Sequence, residues 1–263
     1  MSETLFLRFY ASLNDFLPAS RRQVTYPCPF NPPVSVKHLI EAEGVPHPEV
    51  ALILANGAPV DFSYLVQPND RIAVYPTLTN LRLAGAPWLR PSLPHPPTFI
   101  LDNHLGRLAR YLRLLGFDAL YPSGELDDQE LAQLAHEQNR VMLTRDRGLL
   151  MRNLITHGYC LRSMDPKEQL RDVLHRFRLR AAVKPWQRCL RCNGLLASVD
   201  KAEILERLAP KTKKYYDGFK ICPDCRQIYW QGSHFAALQE LVTQAVTNIK
   251  PSNALETVNL LDS

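Results

Sequence analysis

The stretch Thr98-Phe-Ile-Leu-Asp102-Asn-His-Leu-Gly-Arg-Leu-Ala-Arg-Tyr-Leu-Arg-Leu-Leu-Gly116 decides the reading of this chain. It opens as a short apolar run suited to a buried strand and sets a carboxylate directly behind it. It then continues as a helix over 104–115, with Leu105, Leu108, Ala109, Leu112 and Leu115 on one face and Gly116 as its stop. The alternation persists downstream. Residues 117–121 read as a strand, a helix follows Asp127 and Asp128, Val141-Met-Leu-Thr144 is a strand, 147–155 is helical, and 159–162 is a strand. The last helix has Asp165 as cap, Pro166 in its first turn and Glu168 at capping-box spacing. Such an order implies an α/β domain, a parallel sheet covered by helices on both faces.

In open α/β sheets, ligands bind beyond the carboxyl ends of the strands, and two acids fall there: Asp102 and Asp146. A third is expected from Asp127-Asp128. Glu130 lies three residues after Asp127, which makes Asp127 the N-cap and leaves Asp128 free for the site, with Asp127 as the alternative. Clustered carboxylates repel one another unless a cation lies between them, and hard oxygen ligands select Mg2+ or Mn2+. The expected chemistry is metal-assisted phosphodiester hydrolysis. Arg107, Arg110 and Arg113 recur every third residue along the first helix, and Arg145 and Arg147 bracket Asp146, so these five are the candidates for positioning phosphates. His104 is read as a helix-start residue packing locally.

Downstream, Cys189-Leu-Arg-Cys192 and Cys222-Pro-Asp-Cys225 form two C-x-x-C pairs, each suited to one tight turn that offers two sulfurs. Together they predict a closed, structural zinc cage with no open position for substrate. Gly194, just past the first pair, is expected to take a positive φ. Cys28 and Cys160 lack near partners and read as buried small residues.

Five prolines between Pro87 and Pro97 mark a linker over 81–97. Before it, residues 5–10, 22–27, 49–55 and 71–75 read as strands and 36–43 as a helix, with Asn56-Gly57 as a turn, in ββαββ order. The domains expected are therefore 1–80, 98–187 for the α/β unit, 188–235 for the zinc ribbon and 236–263 for a C-terminal helix and tail. The 263 residues carry a net charge of +5, and the excess sits mainly in the α/β unit, concentrated over 171–191. Beside an acidic metal site this favours a polyanionic substrate. The first residues lack the apolar region of a signal peptide and no run approaches membrane-spanning length, so a cytoplasmic protein is expected.

The segments Val34-Ser-Val-Lys-His-Leu-Ile, Leu52-Ile-Leu-Ala-Asn-Gly and Pro68-Asn-Asp-Arg-Ile-Ala-Val-Tyr-Pro76 resemble the ubiquitin-like β-grasp, especially the sulfur-carrier proteins of molybdopterin and thiamine synthesis. Those carriers end in a free Gly-Gly, whereas this chain continues through Leu83-Ala-Gly-Ala-Pro, so the resemblance implies a docking or stabilising module, with a protein partner as its occupant. The run from Asp102 to Asp118, Asp128-Gln-Glu-Leu, Leu143-Thr-Arg-Asp-Arg-Gly-Leu-Leu, the cysteine pairs and Tyr229-Trp-Gln-Gly-Ser-His234 resemble the RNase family named for the C-terminal domain of the nematode exonuclease Mut-seven. The resemblance implies a PIN-like fold, a zinc ribbon, RNA as substrate, and Asp102, Asp128 and Asp146 at the metal, with a fourth acid that has no evident position here. Two other readings stay open: a non-catalytic RNA-binding adaptor, and a protein acting through its β-grasp module.

Overall fold

The computed structural model describes residues 2–76, 89–122, 126–233 and 235–247. The expected stretch Leu83-Ala-Gly-Ala-Pro and His234 lie outside them.

Strands β1 (Glu3–Phe9) and β2 (Tyr26–Phe30), helix α1 (Val36–Ala42), and strands β3 (Val50–Ala55), β4 (Ala58–Val60) and β5 (Arg71–Pro76) build the N-terminal unit. Its sheet runs β2-β1-β5-β3-β4, with β1 and β5 parallel and the other pairs antiparallel, which is the β-grasp arrangement. Alternation along β1 buries Leu5, Leu7 and Phe9 against Val36, Leu39 and Ile40 of α1, whose start is capped by Ser35 accepting from the His38 N–H at 3.3 Å. Sequence missed β4, a three-residue strand with a proline, its first two residues exposed, although Asn56 (φ 51°) and Gly57 (φ 83°) form the very turn that joins it to β3. It also placed the second strand about four residues early. That strand carries Pro27 and Pro29, which is tolerated because β2 lies at the sheet edge and both prolines face outward.

The central unit comprises β6 (Phe99–Leu101), α2 (Gly106–Leu114), β7 (Ala119–Leu120), α3 (Asp128–Glu137), β8 (Val141–Thr144), α4 (Arg147–Leu150), β9 (Gly158–Cys160) and α5 (Pro166–Arg176). All four strands are parallel, in the order β7-β6-β8-β9. Successive residues point to opposite faces: Phe99, Leu101, Val141 and Leu143 pack with α2 and α5, while Ile100 and Met142 pack with Leu131 and Ala135 of α3. The helix expected to run to 155 stops at Leu150. A turn closed by Ile155 N–H to Arg152 C=O then brings the chain back to β9.

The α3 face is not solvated, because Leu149, Leu150, Ile155 and Cys160 share one core with Leu5, Phe16, Ile53 and the rest of the β-grasp interior. Polar bonds reinforce this junction along edge strand β9. Glu49, 1 % exposed, accepts from the Cys160 N–H at 2.7 Å, His47 Nε2 lies 2.8 Å from the Ile155 carbonyl, and Arg162 donates to the Ser12 carbonyl. Burial pushes the Glu49 carboxyl up, against the pull of Arg176. Covering an edge strand removes a site of unwanted pairing. The described part of the proline-rich segment is packed too: Arg90 donates to the Pro48 carbonyl at 2.7 Å, and Leu93 lies against the central core.

Strands β10 (Ala197–Val199), β11 (Phe219–Ile221) and β12 (Ile228–Trp230) form an antiparallel ribbon, with α6 (Lys201–Ile204) and α7 (Pro210–Tyr215) between the first two. Its own core is small: Ile204, Leu208, Phe219, Ile221 and Ile228. Helix α8 (Phe235–Thr247) returns to the central unit through Val242, Leu238 and Leu241, so it is part of that core.

Candidate functional site

Strands β6 and β8 are neighbours, so the residues following them emerge side by side at the carboxyl edge of the sheet. There Asp102, Asn103, His104, Leu105, Asp128, Arg145 and Asp146 line a cavity of about 350 Å³. The three acids named from sequence line this one cavity, brought from a strand end, a helix start and a helix cap, without closing into a ligand group as tight as the four cysteines.

Each carboxylate is oriented by its local structure. Asp102 accepts from the Asn103 N–H at 2.6 Å through one oxygen and from the Thr144 hydroxyl at 2.7 Å through the other. Asp146 caps α4, accepting from the Gly148 N–H at 2.7 Å. Asp127 caps α3 in a full capping box with Glu130, which occupies its carboxylate, while Asp128 one residue on lines the cavity and faces Arg152 at 3.7 Å. Of the two aspartates that sequence left open, Asp128 is thus the one that lines the cavity.

Thr144 was missed. Its hydroxyl is fully buried, donates to Asp102 and accepts from the Asp146 N–H at 2.9 Å, so one oxygen fixes the spacing of both acids. The signal was its position as the last residue of β8, two before Asp146, where a hydroxyl at a buried strand end needs partners. Asn103 was missed as well: its Oδ1 is buried with no hydrogen-bond donor among the described residues.

The arginines divide. Arg145 lines the cavity, and Arg107 and Arg110 are exposed on α2. Arg113 is a correction: it is 3 % exposed, and donates to the carbonyls of Ala119, Leu190 and Arg191 at 2.8, 3.2 and 2.9 Å. A three-residue spacing turns about 60° short of a full circle per step at 3.6 residues per turn, so the third arginine has rotated into the core. Burial lowers its guanidinium pKa, and the carbonyls satisfy its protons. Arg147 is also committed elsewhere, donating to the Phe16 carbonyl at 3.2 Å and lying 5.0 Å over the Phe16 ring. Of the basic run over 171–191, Arg176 sits 4.0 Å from Glu49 and Arg188 reaches Asp118 at 3.3 Å, so both also serve internal pairing.

The second cluster is of another kind. The sulfurs of Cys189, Cys192, Cys222 and Cys225 all lie within 4.8 Å of one another, and no other group of potential ligands is this tight among the described residues. Zinc–sulfur bonds of about 2.3 Å put sulfurs about 3.8 Å apart at tetrahedral corners, so the cluster fits zinc. The two knuckles are built alike. The Cys189 and Cys222 N–H groups donate to the Gly194 and Gln227 carbonyls, and Asn193 (φ 76°) and Arg226 (φ 61°) turn the chain. Positive φ therefore falls one residue before Gly194. A Cβ at Gly194 would meet the exposed Asp224 carboxylate, which would have to swing aside, and would lie 3.1 Å from the Cys222 sulfur. Within the cluster, burial raises the Cys192 and Cys225 thiols, whereas at Cys189 burial is outweighed by bonds led by the Tyr229 hydroxyl at 3.1 Å, which bring the thiol down to about 7.

The ribbon is bolted to the central sheet next to α2. Asp118 takes Arg140 at 2.6 Å and Asn193 at 2.9 Å, and the Asn193 side chain accepts from the Ala119 N–H of β7.

Comparison with known proteins agrees with this architecture. The sequence model of a family described as the Mut7-C RNAse domain matches residues 97–242, and that of a second, described as Mut7-C ubiquitin, matches residues 2–82. Among curated proteins, the exonuclease mut-7 homolog of Homo sapiens is 32 % identical over 99 residues, which are 36 % of this chain and 11 % of that protein. The match thus spans about a tenth of the curated relative's length. Among solved structures, the crystal structure of SAMP1 from Haloferax volcanii aligns with 29 % of this chain over 98 % of its own length, at 15 % identity and a TM-score of 0.24. By the match that spans more than half of its length, the chain belongs to the Mut7-C RNAse domain family and carries a Mut7-C ubiquitin domain ahead of it.

Proposed function

We propose that this protein is a divalent-metal-dependent ribonuclease that hydrolyses RNA phosphodiester bonds at the cavity of Asp102, Asp128 and Asp146. The observation that carries the reading is that three sequence-distant carboxylates line one cavity at the carboxyl edge of a parallel sheet, in a chain of an RNase-domain family. The donor set suits Mg2+ or Mn2+, for the carboxylates that line the cavity are hard oxygens. Such an ion supplies charge stabilisation on phosphate oxygens and a more nucleophilic water.

The chain's own residues do the positioning. Thr144 and the Gly148 N–H hold Asp102 and Asp146 at fixed orientations, which spares the site reorganisation when charge arrives. Arg145, at the cavity wall, offers forked donors to the phosphate, and Arg107 and Arg110 are placed to hold flanking phosphates. In the same reading the units are 1–80, 98–187 and 188–235, the cysteines hold structural zinc, and the N-terminal unit clamps β9 while its remaining surface is left for a protein partner. No described helix is long and apolar enough to cross a membrane. A cytoplasmic location is proposed on the free Cys28 and Cys160 and the thiol cage, which suit a reducing compartment.

The purified chain should cut single-stranded RNA in Mn2+ and fail to do so in Ca2+. Asp146→Asn keeps the helix-capping acceptor, so its fold should persist while cleavage drops by roughly 100-fold or more. Cleavage at the wild-type rate by that variant would overturn the assignment.

A further inference from the structure

A second concavity of about 780 Å³ lies where the ribbon meets α2 and α8. It is within the size range of small-molecule and nucleotide sites. Seven aromatic side chains line it: Trp186, Tyr215, Tyr216, Phe219, Tyr229, Trp230 and Phe235. Trp186 and Phe235 are already stacked, with centroids 4.8 Å apart and planes 26° from parallel. Trp230 stands 41 % exposed, unusual for so large an apolar group. Trp186 is held at φ 63°, a conformation costly for a bulky residue, by its own N–H to the Leu114 carbonyl and by Lys220 Nζ on its carbonyl at 2.8 Å. Such a wall is built to present flat faces.

Position and rim charge name the occupant. Of the charged lining residues, Lys220 is bonded to the Trp186 carbonyl, Arg188 is paired with Asp118 and Asp217 with Lys201, while at the rim Lys214 lies 5.3 Å from the ring of Tyr215, which is 66 % exposed. Helix α2 joins this groove to the acidic cavity: Leu105, its N-cap, lines the cavity, and Leu114, its last residue, lines the groove. Nine residues at 1.5 Å make about 14 Å. That is about four nucleotides of a stacked strand at 3.4 Å each, fewer if the strand is stretched. The exposed Arg107 and Arg110 sit on the same helix between the two.

We propose that the groove is a base-stacking subsite for the single-stranded flank of an RNA whose scissile phosphate occupies the acidic cavity. The proposal rests on the ribonuclease reading and adds a place where substrate length is sensed. Stacking is tolerant of base identity, so the subsite confers preference for single-stranded, longer RNA rather than for a sequence.

The test uses the full zinc-loaded chain and two labelled oligouridylates, one of about 12 nucleotides that spans both sites and one of about 3 that cannot, judged by the same 3.4 Å spacing. Binding is measured on Asp146→Asn protein so that the probe stays intact, and cleavage on the parent. Trp230→Ala should weaken the long RNA by about 5- to 150-fold, the range that one stacked base supplies, and raise KM without lowering kcat. Trp230→Phe should restore most of the affinity, and the short RNA should be bound and cut equally by all three forms. Unchanged affinity of Trp230→Ala for the long RNA, or an equal loss on the short one, overturns the proposal. The two readings fail separately: Trp230-dependent binding without cutting would remove the nuclease and keep the subsite, whereas cutting indifferent to Trp230 would keep the nuclease and remove the subsite.

Discussion

The cysteine cluster and the acidic cavity are both built from groups that bind metals, yet on opposite plans. Four sulfurs come from two short turns and lie within 4.8 Å of one another, whereas three carboxylates come from three separate elements and surround about 350 Å³ of open space. A closed set of ligands spends the metal on folding, while an open set leaves room for water and a phosphate. Soft donors close the first and hard donors line the second, so the two should not exchange metals.

The contrast can be broken most forcefully at the cage. Cys222→Ser should take zinc from one per chain to none by metal analysis and unfold the ribbon, since structural zinc contributes on the order of 10 kcal/mol in small domains. Retained zinc, or an unaltered melting curve, would mean that the cluster is not what holds the ribbon. At the cavity, Asp128→Asn should cut the rate about 100-fold, whereas Asp127→Asn, still a good cap, should cleave within about 2-fold of wild type. A reversed order would assign the third carboxylate to Asp127. Thr144→Val removes the hydroxyl between Asp102 and Asp146, and should cost about 10- to 100-fold in Mn2+ affinity, with Thr144→Ser recovering most of it. Isothermal titration would read this, and equal affinities would leave Thr144 a packing residue. The smallest effect belongs to Arg107→Ala: a KM raised a few-fold and a salt slope shallower by about 1. An unchanged slope would take Arg107 out of the phosphate path.

What was legible follows the range of the interactions. C-x-x-C spacing is local, so the knuckles could be read directly, as could the Asp127 and Asp165 caps and strand β8. That Asp102 and Asp146 would emerge beside one another was legible because parallel strands align their ends, a rule of topology, and both line one cavity. Thr144 was not, since its role depends on a partner 42 residues away. Arg113 misled because a three-residue spacing approximates a helix face only over short runs, and because the carbonyls that bind it belong to Leu190 and Arg191 in the ribbon. The burial of β9 under the N-terminal unit was equally hidden. Each partner looks like an ordinary amphipathic surface until Glu49 is seen to accept the Cys160 N–H.

Anomalous diffraction from crystals grown with Mn2+ tests the central claim most directly. The account predicts one manganese peak at coordination distance from carboxylate oxygens of Asp102, Asp128 and Asp146, absent from Asp146→Asn crystals that keep the same fold. A wild-type map with manganese elsewhere, or with the three carboxylates unoccupied at saturating ion, would contradict it.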